Sequence, residues 1–281
     1  SDSLDADLGG TGTDVLVGIE RIRFRESEID LGLRVYTQDW DEDGQVDWSE
    51  VRGTINDDSI VDGEAGLDLS NDDEIRGRDG NDIIVAGAGG DRISGGAGND
   101  FIDGGDNGTP YGFDGERLED GYTPDQISWQ PKDEVRYDGD RDRFEIYDSS
   151  DLTALTDLGL TQTVDDVVTV DLSSYLDGTE IDAPATFKVI KDTLPDAAGG
   201  YGIDIVANVE FISFSDDFIA LQAETYVNYD SDGNEIGRSV NGTLSSETLL
   251  GGAGDDNLWG KDGDDVLRGK AGGDGLEGGA G

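Results

Sequence analysis

Cysteine, histidine and methionine are all absent from these 281 residues. Without cysteine there is neither a disulfide framework nor thiolate metal chemistry, and without histidine the commonest zinc and copper ligand and the usual catalytic base are missing. Positive charge is scarce: 19 Lys plus Arg face 66 Asp plus Glu, giving a formal net charge of −47. Such a chain offers no basic patch for nucleic acid, and it carries no signal-peptide pattern and no apolar run long enough to span a bilayer. A Gly-x-Ser-x-Gly nucleophile elbow is also missing, so no catalytic constellation stands out and the expectation is a non-enzyme. Apolar residues make up only 34%, while 44 Gly raise the conformational entropy that folding must overcome. Two outcomes fit these numbers: a disordered acidic chain, or one whose carboxylates are neutralised by cations as it folds. Only oxygen donors are on hand, which favours a hard cation, and Ca²⁺ tolerates irregular geometry better than Mg²⁺.

What is present is a repeat of nine residues. GRDGNDIIV (77–85), AGAGGDRIS (86–94) and GGAGNDFID (95–103) follow one another in register. Looser units precede them, with Asp58 and Ile60 in one and Asp73 and Ile75 in another, while residues 62–70 fall out of phase and predict an irregular turn. A second block begins at Gly242, with Glu247, Asp256, Asp265 and Asp274 at the sixth position and Leu249, Leu258, Leu267 and Leu276 at the eighth. A flexible linker needs no large aliphatic residue at every ninth position, which sets aside the bland reading of a Gly/Asp-rich chain.

These blocks resemble the RTX family of calcium-binding nonapeptides, Gly-Gly-x-Gly-x-Asp-x-U-x with U large and apolar. The resemblance implies an all-β fold: right-handed parallel β-rolls in which six residues form a Ca²⁺-binding turn and three a short strand. Each coil would take two nonapeptides, so ions would lie between Asp73 and Asp91, Asp82 and Asp100, Glu247 and Asp265, and Asp256 and Asp274, with Asp58 opening the series. Ile75, Ile84, Ile93 and Ile102 would stack as a thin interior. Glu247, one methylene longer than aspartate, is the rung expected to be remodelled.

A different calcium loop is predicted at DWDEDGQVDWSE (39–50). It follows the EF-hand pattern, with Asp39, Asp41 and Asp43 as side-chain ligands, Gln45 as a carbonyl ligand, Asp47 as a direct or water-mediated ligand and Glu50 as the bidentate closer, Gly44 making the bend. The flanks alternate as strands do, so the expectation is an EF-hand-like loop on a β scaffold, holding a structural ion.

GTDVLVGIERIRFRESEIDL (12–31) recurs as GIDIVANVEFISFSDDFIAL (202–221), about 190 residues on. Asp14 and Asp204 coincide, as do Glu20 and Glu210. After this segment Asn228, Asp230 and Asp232 answer the acidic loop, but Ser239 stands where Glu50 stood, so weaker binding or a plain hairpin turn is expected there. The division that follows is a β-module tail at 1–35, the EF-hand-like loop at 36–52, a roll at 53–110, a β-rich module at 111–227, a degenerate loop at 228–241 and a second roll at 242–281. Residues 135–137, 144–147, 167–170 and 187–190 read as strands, and 151–160 as a short helix. The chain opens on Ser1 and ends on Gly281 inside a turn, so it is expected to be cut from something longer.

The resemblance implies an extracellular or cell-surface location reached by type I secretion, with several Ca²⁺ ions. The expected role is a calcium-folded structural segment, an extender or surface-display region of a large adhesin facing cell-surface or biofilm matrix components. The competing role is a non-catalytic ligand-binding or secretion module of an RTX enzyme or toxin. Neither nucleic acid nor membrane insertion is expected.

Overall fold

A three-residue strand between two turns can bury its aliphatic residue only against the same residue of the next coil, and the fold is organised on that constraint. The computed structural model describes residues 21–23, 28–30, 32–39, 46–108, 111–112, 127–129, 131–164, 167–176, 179, 181–195, 198–230 and 234–281. Nearly all its regular structure is strand. β1 (Arg21–Arg23) pairs antiparallel with β2 (Glu28–Asp30), and β3 (Arg34–Gln38) with β4 (Trp48–Arg52). Thereafter the chain steps between two sheets through β5 (Ser59–Val61), β6 (Glu74–Asp79), β7 (Ile83–Val85), β8 (Arg92–Ala97) and β9 (Phe101–Asp103). β4, β6 and β8 run parallel in one sheet, and β5, β7 and β9 in the other.

Successive rungs in the regular stretch are 18 residues apart, which is two nonapeptides. The preceding circuit takes 24. Its surplus lies in the out-of-phase stretch, where no strand forms and Asp62 Oδ1 instead accepts the Leu69 N–H at 2.8 Å.

β10 (Tyr111–Gly112) and β11 (Ile127–Trp129) form a hairpin before β12 (Glu134–Arg136). β13 (Phe144–Asp148), α1 (Leu152–Asp157), β14 (Thr161–Val164), β15 (Val167–Val170), α2 (Ser173–Leu176) and β16 (Lys188–Asp192) follow, then β17 (Ile203–Ala207), β18 (Phe211–Ser213) and β19 (Phe218–Ala220). The expected strands at 144–147 and 167–170 are thus present, those at 135–137 and 187–190 are displaced by about a residue, and α1 starts on the Asp151 carboxylate, which accepts the Ala154 N–H.

The stretch 111–227 shares its sheets with the repeats rather than standing apart from them. β12 lies parallel on β8, β18 parallel on β12, and β17 parallel on β9. Val135, Ile212 and Val206 therefore continue the interior files of Val51, Ile75 and Ile93 and of Ile60, Ile84 and Ile102, all of them buried in one cluster. Phe101, Leu155, Leu160 and Phe187 form a second cluster. Tyr137, Phe144, Tyr201 and Phe214 pack ring against ring with centroids 4.9–5.9 Å apart, contributing further aromatic burial beside the last coil.

The second block repeats the plan in brief. β20 (Glu224–Tyr229) and β21 (Glu235–Asn241) form a hairpin, and β22 (Thr248–Leu250), β23 (Asn257–Trp259), β24 (Val266–Arg268) and β25 (Gly275–Glu277) stack in parallel as β21-β23-β25 and β22-β24. Val240, Leu249 and Leu258 are buried with Leu267 against them, while Leu276 is exposed. Among the described residues of the long sequence repeat, the two copies share an antiparallel strand pair. Ile22 is in backbone register with Ile29 across β1–β2 as Ile212 is with Ile219 across β18–β19.

Candidate metal centre

Each nonapeptide turn leaves its sixth residue directly before a buried strand, so its carboxylate sits beneath the turn of the adjoining coil. Two files result. In one, the Ser49 N–H donates to Asp73 Oδ1, the Asp73 N–H to Asp91 Oδ1 at 2.7 Å, the Asp91 N–H to Asp133 Oδ1 at 2.7 Å and the Asp133 N–H to Glu210 Oε2 at 2.9 Å. In the other, the Thr54 N–H donates to Asp58 Oδ2 at 2.6 Å, the Asp58 N–H to Asp82 Oδ1 at 2.8 Å, the Asp82 N–H to Asp100 Oδ1 at 2.8 Å and the Asp100 N–H to Asp204 Oδ1 at 2.9 Å. The anticipated pairs Asp73/Asp91 and Asp82/Asp100 are thereby brought together, and Asp58 heads the second file.

One oxygen of each inner carboxylate is used; the other is not. Asp73, Asp82, Asp91, Asp100 and Asp133 are buried, and Oδ2 of each has no hydrogen-bond partner. A buried ionised oxygen without a donor is strongly unfavourable, so each carboxylate here needs a cation or a proton. The electrostatics agree. Burial is the largest influence on all five, and neighbouring carboxylates add to it in each, pushing Asp73 and Asp100 up to about 7, Asp82 and Asp133 to about 8 and Asp91 to about 9.

Glycine opens the space in front of these oxygens. A Cβ at Gly77 would collide with Asp82 Oδ2 and with the Gly95 carbonyl oxygen of the next coil, so two oxygens from adjoining coils approach one point that only glycine leaves clear. Among the described residues no three acidic side chains gather as a metal site. An ion here would take its carboxylates from the file and complete its shell with main-chain carbonyls, a donor set that suits Ca²⁺, which accepts six to eight oxygens in irregular arrangement.

The second block joins Glu247 N–H to Asp265 Oδ1 at 2.9 Å and Asp256 N–H to Asp274 Oδ1 at 3.2 Å, again the anticipated pairs. Asp265 Oδ2 lacks a partner, whereas Asp256 Oδ2 accepts the Gly252 N–H at 2.7 Å. Glu247 departs from the aspartates. It accepts the Thr243 N–H at 3.0 Å, as Asp256 accepts the Gly252 N–H, but its other oxygen is taken by the Thr243 hydroxyl.

The expected acidic loops fall between paired strands, β3 with β4 and β20 with β21. Asp39 and Asp47 stand at the base of the β3–β4 loop, where the Asp47 N–H donates to the Gln38 carbonyl at 2.8 Å; Asp41, Asp43 and Gln45 lie outside the described residues. Glu50 sits on β4 and Oε1 accepts from Arg52 at 2.7 Å and from Arg76 at 3.2 Å. In the β20–β21 hairpin, Asn228 pairs with Gly237 and the Asp230 carboxylate accepts the Asn234 N–H at 2.9 Å; Asp232 is outside the described residues.

Asp133, Asp204 and Glu210 escaped the sequence reading as members of the files. A signal existed in the spacing Gly202-x-Asp204-x-Val206, which copies Gly98-x-Asp100-x-Ile102, but the intervening chain breaks the period of nine. Comparison with known proteins agrees with the geometry. A family model of RTX calcium-binding nonapeptide repeats, four copies, matches residues 70–107 and 241–281. No curated protein matches the chain.

Proposed function

We propose that this chain, which carries RTX calcium-binding repeats in both blocks, is a calcium-folded structural segment of a secreted protein, a non-catalytic extender or surface-display region of a large adhesin-like molecule. The single observation behind the reading is the set of five buried aspartates, Asp73, Asp82, Asp91, Asp100 and Asp133, that each keep one oxygen without a donor. In this reading the two stacked sheets are the RTX parallel β-roll, Ca²⁺ occupies the gaps between its turns, and the hairpin at 39–50 adds an EF-hand-like ion at the roll's entrance. Calcium then acts as the folding trigger. Where free Ca²⁺ is scarce the acidic chain stays open and exportable by a type I route, and at extracellular Ca²⁺ it closes and stiffens. Support for a spacer role comes from the compound repeat, since modular arrays gain reach by adding units.

The test is a Ca²⁺ titration followed by circular dichroism and small-angle scattering. The expected result is an expanded chain in EGTA that gains β structure and compacts cooperatively as Ca²⁺ is added, with Mg²⁺ a poor substitute. A segment that stays equally compact and β-structured after exhaustive EGTA dialysis would refute the reading.

A further inference from the structure

Asp133 lies well past the last regular nonapeptide, yet its surroundings repeat those of the nonapeptide aspartates. The Gly104 turn begins in register with the coil below it: Ala88 and Asp106 bridge in parallel, and the Asp106 N–H donates to the Gly87 carbonyl at 2.8 Å. At residue 107 the register is left, and it is resumed at Pro131–Lys132, which press on Gly90. Beyond that point the Glu134 N–H donates to the Asp91 carbonyl at 2.8 Å and Val135 faces Ile93. Asp91 and Asp133 are 42 residues apart where Asp73 and Asp91 are 18 apart, so the difference is an insertion within one nonapeptide. Gly104 to Asp106 supply its first three positions and Pro131 to Val135 its fourth to eighth.

We propose that this split nonapeptide builds a further Ca²⁺ site at Asp133. The proposal rests on the calcium-folding reading above and extends it outside the repeats. Asp133 is fully buried and its Oδ2 has no partner. A Cβ added at Gly104 would stand 2.7 Å from Asp133 Oδ2 and would collide with the Asn208 carbonyl oxygen, the same two-oxygen approach that Asp82 Oδ2 and the Gly95 carbonyl make over Gly77. Asn208 holds its backbone at φ 51°, a left-handed conformation asparagine tolerates better than most residues.

The carboxylates one coil further on are built differently. Asp204 Oδ1 takes the Asp100 N–H and its Oδ2 takes the Tyr137 hydroxyl at 2.8 Å. Glu210 Oε2 takes the Asp133 N–H and its Oε1 takes the Gln222 side-chain amide at 2.9 Å. Both oxygens of both groups already have donors. Asp204 and Glu210 therefore end the files as hydrogen-bonded stops, and Asp133 is the last rung with an oxygen to give to a cation.

The experiment counts ions on the full 281-residue chain by native mass spectrometry and calorimetry with CaCl₂. Asp133→Asn should lower the count by one relative to the parent, as Asp82→Asn should within the repeats, while Asp204→Asn should leave the count unchanged. Should Asp133→Asn fail to fold, Gly104→Ala gives the same reading, because its Cβ crowds the point where Asp133 Oδ2 and the Asn208 carbonyl converge while the chain keeps its carboxyl group; it too should lose one ion. An ion lost from Asp82→Asn but from neither Asp133→Asn nor Gly104→Ala overturns the proposal and leaves the calcium-folding reading standing. A parent chain that retains no Ca²⁺ overturns both.

Discussion

The same fold holds two kinds of buried carboxylate, and the difference lies in whether a guanidinium and several further donors meet the oxygens. Asp192 is buried too, which by itself would raise its pKa, but hydrogen bonds from Arg143, Leu194 and Tyr201 outweigh burial and hold the group below the ordinary carboxylate range. Asp73, Asp82, Asp91, Asp100 and Asp133, each with one oxygen that meets no donor, are shifted the other way. The consequence for metal-free protein has a definite sign. A carboxyl whose folded pKa is raised binds more protons folded than unfolded, so its contribution is most favourable below about 4 and is lost as pH climbs through the folded values of about 7 to 9. In EGTA the β signal should therefore be weakest near pH 8–9 and grow as the solution is acidified toward pH 5. With Ca²⁺ present the direction reverses, because protons compete for the same oxygens, and the Ca²⁺ midpoint should rise on acidification. A pH-independent circular dichroism spectrum in EGTA would show that these carboxylates do not oppose the metal-free fold.

Strands of three residues acquire stability only by stacking, which makes the eighth-position aliphatic the main apolar contribution of each rung. Ile84 is buried between Ile60 and Ile102. Ile84→Ala should cost about 2–5 kcal/mol in saturating Ca²⁺, the range for emptying a packed aliphatic site, whereas Leu276→Ala at the exposed last rung should change thermal unfolding little. Equal losses from the two would contradict the stacking order. This element-level logic also explains what was legible in the sequence. The period of nine carried the RTX resemblance, and it was the two-nonapeptide coil implied by that resemblance that placed Ile75, Ile84, Ile93 and Ile102 in one interior and paired Asp82 with Asp100, every rung being a copy of its neighbours. It did not place Asp133 or Asp204. Their partners are 42 and 104 residues away, and an insertion inside a repeat leaves the pairing intact while erasing the period by which it is recognised. Four strands of 111–227, near 135–137, 144–147, 167–170 and 187–190, were legible one by one, but not β14, β17, β18 and β19, nor the return of this stretch to the sheets of the first block, since parallel pairing over such distances has no local signature.

At the scale of the whole molecule, a net charge of −47 opposes compaction in two separable ways. One is long-range repulsion among exposed carboxylates; the other is the local penalty of the partnerless oxygens inside. Salt acts on the first alone. Raising NaCl from 0.1 to 1 M shortens the Debye length from about 10 to about 3 Å, so exposed charges cease to repel one another across the chain. Sodium at that concentration still supplies no divalent charge at Asp82, Asp91 or Asp100, where two coils converge on one point. In EGTA with 1 M NaCl the scattering radius should therefore shrink while the circular dichroism stays that of an unfolded chain, and millimolar Ca²⁺ at low salt should change both together. Were concentrated NaCl alone to restore the full β spectrum, diffuse repulsion rather than ion occupancy between the turns would be what keeps the metal-free chain open, and the buried files would be bystanders to folding.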